Sequence, residues 1–264
     1  YEIDGKPCAE IFASKAEDFE LRGDIQKACR IPTESVLFNI QEKLDATTKS
    51  TIDPVLNIFV KEFNRKMGYD DKKPEIAEIE RYFDNKGKYE FFKEEYQKRF
   101  GETWENGRKS ILLKLQRVAE IMAEIDGIPQ ATAFDNIKAQ IANYKIDTDG
   151  FVALVKEHLD KQQPGSRFIF FVDEVGQFIG KDVHRMLSLQ TIAEGLSDKT
   201  NGQSIVIVTS QMDIDATLGN LDKQQEYDFS RIQGRFDTRI SLTSANADEV
   251  IQRRLLEKEE EPQQ

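Results

Sequence analysis

The sequence predicts an α/β fold, a parallel sheet core carrying a large helical insertion. Two observations lead there. Phe168 to Val172 and Ser204 to Val208 are apolar runs without alternation, suited to strands buried on both faces. Between about residues 50 and 162 the apolar period is instead helical. After Pro164-Gly165 the texture becomes strand, helix, strand, which implies parallel strands joined by crossover helices.

Taken in order, Ser35 to Ile40 is a short apolar and β-branched run that reads as the first strand. Asp53 followed by Pro54 has the form of a helix cap and first helical residue. Val55, Leu56, Phe59, Val60, Phe63 and Met67 supply one apolar face, and Gly68 closes the helix. Two further stripes follow at helical spacing: Tyr82, Phe83, Tyr89, Phe92 and Tyr96, then Leu112, Leu115, Val118, Met122 and Ile125 before Gly127. Such stripes are packing surfaces first and partner grooves second. Met186 to Leu196 forms a helix behind the Phe168 strand. Arg239 to Thr243 reads as a last strand, and Asn246 with Glu249 as a capping box. The expected division is therefore residues 1–50 as the first part of the core with one strand, 51–162 as the helical insertion, and 163–264 as the rest of the core.

Composition excludes several classes. No apolar stretch approaches the roughly 18 residues of a membrane span. Tyr1 to Pro7 lacks the basic and apolar regions of a signal peptide, and without an initial Met the chain reads as a fragment. Two cysteines and two histidines are too few for a zinc cluster or a disulfide framework, so a reducing cytoplasm is the expected compartment. The net charge of -11 opposes sequence-independent attraction to DNA, and the Lys and Arg residues are interleaved with Asp and Glu as on solvated helices.

The chemistry-bearing residues stand at the strand ends. Asp173 and Glu174 follow the Phe168 run directly, at the edge where open α/β sheets bind ligands. The run has the form of a Walker B strand, with Asp173 as a Mg²⁺ ligand and Glu174 as the group that polarises an attacking water. An ordinary buried strand with an acidic turn is the plain alternative. Thr209, Ser210 and Gln211 end the Ser204 strand and would contact a γ-phosphate or its water, or else form a small polar turn. Asp228 to Asp237 contains Arg231 and Arg235. On their own these read as partners in local salt bridges with Asp228 and Asp237.

Acidic strand, polar-ended strand and then Arg-x-x-Gly-Arg-Phe-Asp is similar to the ordered signature of AAA-type ATPases. That resemblance implies a P-loop NTPase (AAA-like) parallel sheet core with ATP and Mg²⁺ as cofactors, and it implies that Arg231 and Arg235 reach into a neighbouring subunit's site. A closer match covers nearly the whole chain. Cys8 to Ile11, Glu34 to Ile40, Phe171 to Gln177, Leu189 to Ile192, Ile207 to Gln211, and Gly234 to Arg239 through Ser244 to Asn246 together resemble the BrxC/PglY family. These are the large P-loop proteins of bacteriophage-exclusion (BREX) systems. The resemblance implies a cytoplasmic ATPase-like component of an anti-phage complex, acting as a homo-oligomer with other BREX proteins and reaching DNA only through the complex. No Gly-x-x-x-x-Gly-Lys-Ser/Thr loop is present. Gly176 to Asp182 is one residue short of it and carries Asp where a hydroxyl is needed. Family order places that loop upstream of Tyr1.

Overall fold

The computed structural model describes residues 2–3, 5–44, 51–179, 182–210, 238 and 240. Strands β1 (Glu2–Ile3) and β2 (Lys6–Pro7) form a small antiparallel pair. Helices α1 (Cys8–Ser14) and α2 (Phe19–Arg30) follow, α2 being capped by the Asp18 carboxylate, which accepts from Leu21 N. Then comes β3 (Thr33–Asn39).

Helix α3 (Pro54–Lys66) starts as the residue types require: the Asp53 side chain accepts from Leu56 N at 3.0 Å, and Pro54 occupies the first turn. It ends at Gly68, whose φ of +80° suits a residue without Cβ. The chain continues through α4 (Pro74–Asn85), α5 (Tyr89–Phe100), the short α6 (Trp104–Gly107) and a 3₁₀ segment (Arg108–Leu113). Helices α7 (Leu115–Asp126), α8 (Gln130–Ala142) and α9 (Thr148–Asp160) complete the helical stretch. Leu112, expected on the stripe of α7, lies in the 3₁₀ segment and is exposed. Strand β4 (Arg167–Asp173), helices α10 (Val175–Ile179) and α11 (Val183–Lys199), and strand β5 (Ser204–Val208) follow. Of the strand expected at Arg239 to Thr243 only Ile240 is described, and it is exposed. The capping box at Asn246 lies outside the described residues.

The three longer strands form a parallel sheet in the order β3-β4-β5. Their register pairs Phe38 with Val172 and Asn39 with Asp173, and Val172 with Val208. The fold is thus α/β as expected, with helix predominating. The strands are not buried on both faces among the described residues. Burial alternates along β4, with Phe168, Phe170 and Val172 inside, while Leu37, Ile205 and Ile207 face outward. Handedness explains this. Both crossovers run in the same direction across the sheet, and right-handed connections then place α3, α9 and α11 on one face.

That covered face is one core, built around Phe38, Phe59, Phe63, Phe151, Phe168 and Phe170. Phe59 meets Phe38 edge-on at 5.5 Å, and Phe63 meets Phe168 likewise at 5.5 Å. Burying each such ring contributes about 2 kcal/mol. The helical stretch 51–162 is shared between two cores, because α3 and α9 belong to the sheet while Tyr69 to Ile141 build a second. The aromatic stripe read from the sequence and, apart from Leu112, the aliphatic one supply this second core; Phe83 stacks on Phe92 with centroids 4.2 Å apart. At its centre Glu80, fully buried, accepts from Asp70 N, Tyr89 Oη (2.9 Å), Trp104 Nε1 (2.6 Å) and Arg108 Nη1 (2.7 Å). The exposed helix faces carry i,i+3 and i,i+4 ion pairs such as Lys98–Glu95 and Lys156–Asp160, the solvated pattern that interleaved charges imply. Among the described residues no helix is long and apolar enough to cross a membrane.

Candidate functional site

Parallel pairing forces the C-terminal ends of β3, β4 and β5 onto one edge, and each ends in a polar residue: Asn39, Asp173 and, one residue beyond β5, Thr209. Backbone bonds extend the ladder past the strands. Ile40 N donates to Asp173 O at 3.2 Å, Thr209 N to Val172 O at 3.0 Å, and Val175 N to Thr209 O at 3.0 Å. The three side chains are therefore carried on a rigid frame rather than on free loops.

Asp173 is exposed. Its Oδ1 accepts from Glu174 N at 3.0 Å and from the Thr209 hydroxyl, so the carboxylate is oriented from two sides. Glu174 is half-buried and has φ of +58°, a left-handed conformation that costs a residue with a Cβ on the order of 1 kcal/mol. That turn carries the chain from the sheet edge into α10, and it aims the Glu174 side chain sideways toward β3. There Asn39 Nδ2 donates to Glu174 Oε2 at 2.6 Å. The other end of the same amide is also fixed: Asn39 Oδ1 accepts from Gln41 N at 3.0 Å and Glu42 N at 3.2 Å. With both ends engaged, the amide's orientation is determined and it presents its N–H to the carboxylate.

Of the residues the sequence singled out, Asp173, Glu174 and Thr209 are brought together, and Ser210 follows at the same edge, half-buried. Gln211, Arg231 and Arg235 lie outside the described residues. Asn39 is the residue that sequence reading left out of the site. The available signal was its place as the polar last residue of a strand parallel to the acidic one. Asp182, the residue that spoils the false phosphate loop, is a helix cap: its carboxylate accepts from His184 N at 3.1 Å and Arg185 N at 3.3 Å.

Among the described residues no cluster of three or more His, Cys, Asp or Glu side chains is placed to hold a metal ion. Among the described residues the edge offers oxygen ligands: one exposed carboxylate, the hydroxyls of Thr209 and Ser210, and one amide-bound carboxylate. No protein-family model matches the chain, and no solved structure gives a significant match.

Proposed function

We propose that the chain is the ATP-binding and ATP-hydrolysing part of a P-loop NTPase (AAA-like) module in a bacteriophage-exclusion defence complex, cytoplasmic and working as a homo-oligomer with other BREX proteins. One observation carries the reading: Asp173, Glu174, Thr209 and Asn39 converge at the carboxyl edge of a parallel sheet, the place where α/β sheets take their ligands.

The donor set fits Mg²⁺, a hard cation that takes one or two carboxylates and fills its remaining positions with phosphate oxygens and water. Asp173 would hold it, steadied by Thr209 and by the Glu174 amide. The ion supplies charge neutralisation to the phosphates when bound. Glu174 takes the proton of an attacking water or orients it, and Asn39 positions Glu174 through its amide N–H. Thr209, Ser210 or Gln211 touch the terminal phosphate. Arg231 and Arg235 complete the site of a neighbouring subunit, where a guanidinium fork matches phosphate oxygens.

A second reading draws on the Asn39–Glu174 bond, which engages the proposed base on its own sheet. With the base so held, nucleotide binding rather than turnover would do the work, and the module would be a nucleotide-dependent scaffold assembling other defence proteins or DNA. The deciding measurement is Mg²⁺-dependent ATP binding and phosphate release by the intact protein that carries this chain. We expect Glu174→Gln to bind ATP and to lose on the order of 100-fold or more in turnover. Unchanged turnover removes Glu174 from the chemistry; binding without turnover in the parent protein selects the scaffold.

A further inference from the structure

We propose that the α1–α2 hairpin is a strap that closes over the bare face of the β3-β4-β5 sheet. This inference is independent of the nucleotide reading. Among the described residues the face is apolar and uncovered: Leu37 on β3 is 75% exposed, Ile205 and Ile207 on β5 point outward, and Ile169 and Phe171 on β4 are half-buried between them. The opposite face is occupied by α3, α9 and α11.

The hairpin has the complementary deficit. No residue of α2 is buried, although Leu21, Ile25 and Ala28 recur at i, i+4 and i+7 as a core-facing stripe does. Phe12 on α1 and Phe19 at the start of α2 are also exposed. Such a stripe without a partner marks a docking surface. Reach then selects the partner. α2 ends at Arg30 and β3 begins at Thr33, so two residues separate the helix from the sheet, and Pro32 O is already fixed by Arg167 N at 2.8 Å. Among the described residues, a hairpin held that close has the bare face within reach, the opposite face being occupied. The dimensions agree, since 12 helical residues span about 18 Å and a seven-residue strand about 23 Å. Between Arg167 and Asp173, which stand at the two ends, the residues that β4 and β5 present on that face are uncharged.

The chain's two cysteines make the test direct. Cys8→Ser leaves Cys29, which is exposed and flanks the α2 stripe. Single cysteines at Leu37, Ile205 or Ile207 sample the bare face, and Leu113→Cys, at an exposed position of the helical module, serves as reference. All four replaced side chains are exposed, so the fold is retained. Dilute protein is oxidised with diamide and the disulfides are mapped by non-reducing electrophoresis and peptide mass. The expected result is an intramolecular Cys29 disulfide with at least one face position, forming at least ~10-fold faster than with Leu113→Cys and slowed several-fold by Leu21→Glu. Rates no faster than the reference at all three positions overturn the strap. So does a face disulfide that forms only between two chains, which would assign the face to a second copy.

Discussion

Ser188 Oγ on α11 lies 2.8 and 2.7 Å from the two carboxylate oxygens of Asp53, sharing its proton between them. Asp53 also caps α3. One carboxylate thereby fixes where the first helix of the helical stretch begins and fastens it to the helix that follows the acidic edge. Losing a cap and a hydrogen bond to a charged group together costs about 2 kcal/mol, and losing the hydroxyl alone about 1 kcal/mol. Urea unfolding of Asp53→Ala and Ser188→Ala should show midpoints lowered in that ratio, with Asp53→Asn falling between wild type and Asp53→Ala.

Glu80→Gln should be more damaging than either. The buried carboxylate accepts from four donors, one of them the Arg108 guanidinium. An amide presents two N–H groups to a site built of donors and leaves the cation without its counter-charge, at a cost of about 3 kcal/mol or more. Trp104 is the single tryptophan of the chain and touches Glu80 directly. Its emission should move to longer wavelength at distinctly lower urea in the variant; an unshifted midpoint would show that the hub contributes little.

Alkaline pH should unfold the protein through its tyrosines. Burial, the largest cause, raises the pKa of Tyr69, Tyr89 and Tyr144. Asp84 beside Tyr69 and Glu80 beside Tyr89 push the same way. In the unfolded chain a phenol ionises near pH 10. Above that pH the unfolded state holds fewer protons than the folded one, so stability is full below about pH 10 and falls as pH rises further. Tyrosinate absorbance should show fewer than the seven tyrosines of the chain ionising before the cooperative loss of structure. Gradual titration of all seven in folded protein would contradict the assignment.

Glu174 offers a separation of backbone from side chain. Both Glu174→Ala and Glu174→Gly remove the carboxylate, but only glycine is unstrained at φ of +58°. The glycine variant should therefore be the more stable of the two by about 1 kcal/mol in denaturant midpoints. Equal midpoints would mean that the turn relaxes once the Asn39 bond is gone.

The parts of this fold written in local chemistry were legible. Asp53, Pro54 and Gly68 marked α3 because caps and breakers act over a few residues. The strand ends were legible too, since an apolar run followed at once by Asp173 or Thr209 needs no tertiary knowledge. Among the described residues the two-sided burial expected for β4 is not met. An apolar run reports that a strand is suited to burial, whereas the hand and direction of two crossovers decide which faces are covered. Asn39 was missed for a related reason. Nothing near residue 39 announces Glu174, which lies 135 residues away and arrives through strand register alone. The helices α1 and α2 escaped the sequence reading although Asp18 carries a cap signature, because α1 is a short helix and the α2 stripe is thin.

Two cores that meet at Met67 give the chain a built-in division of labour in how it comes apart. Tyr69 to Ile141 can loosen as one cooperative unit, hung between the end of α3 and the start of α9, while both of those helices stay seated on the sheet. Links between the two cores include the Arg81–Asn64 and Asn85–Glu157 hydrogen bonds to α3 and α9, well away from the carboxylates at the sheet edge. Changes confined to the helices from Tyr69 to Ile141 should leave intact the frame that holds Asp173 and Glu174.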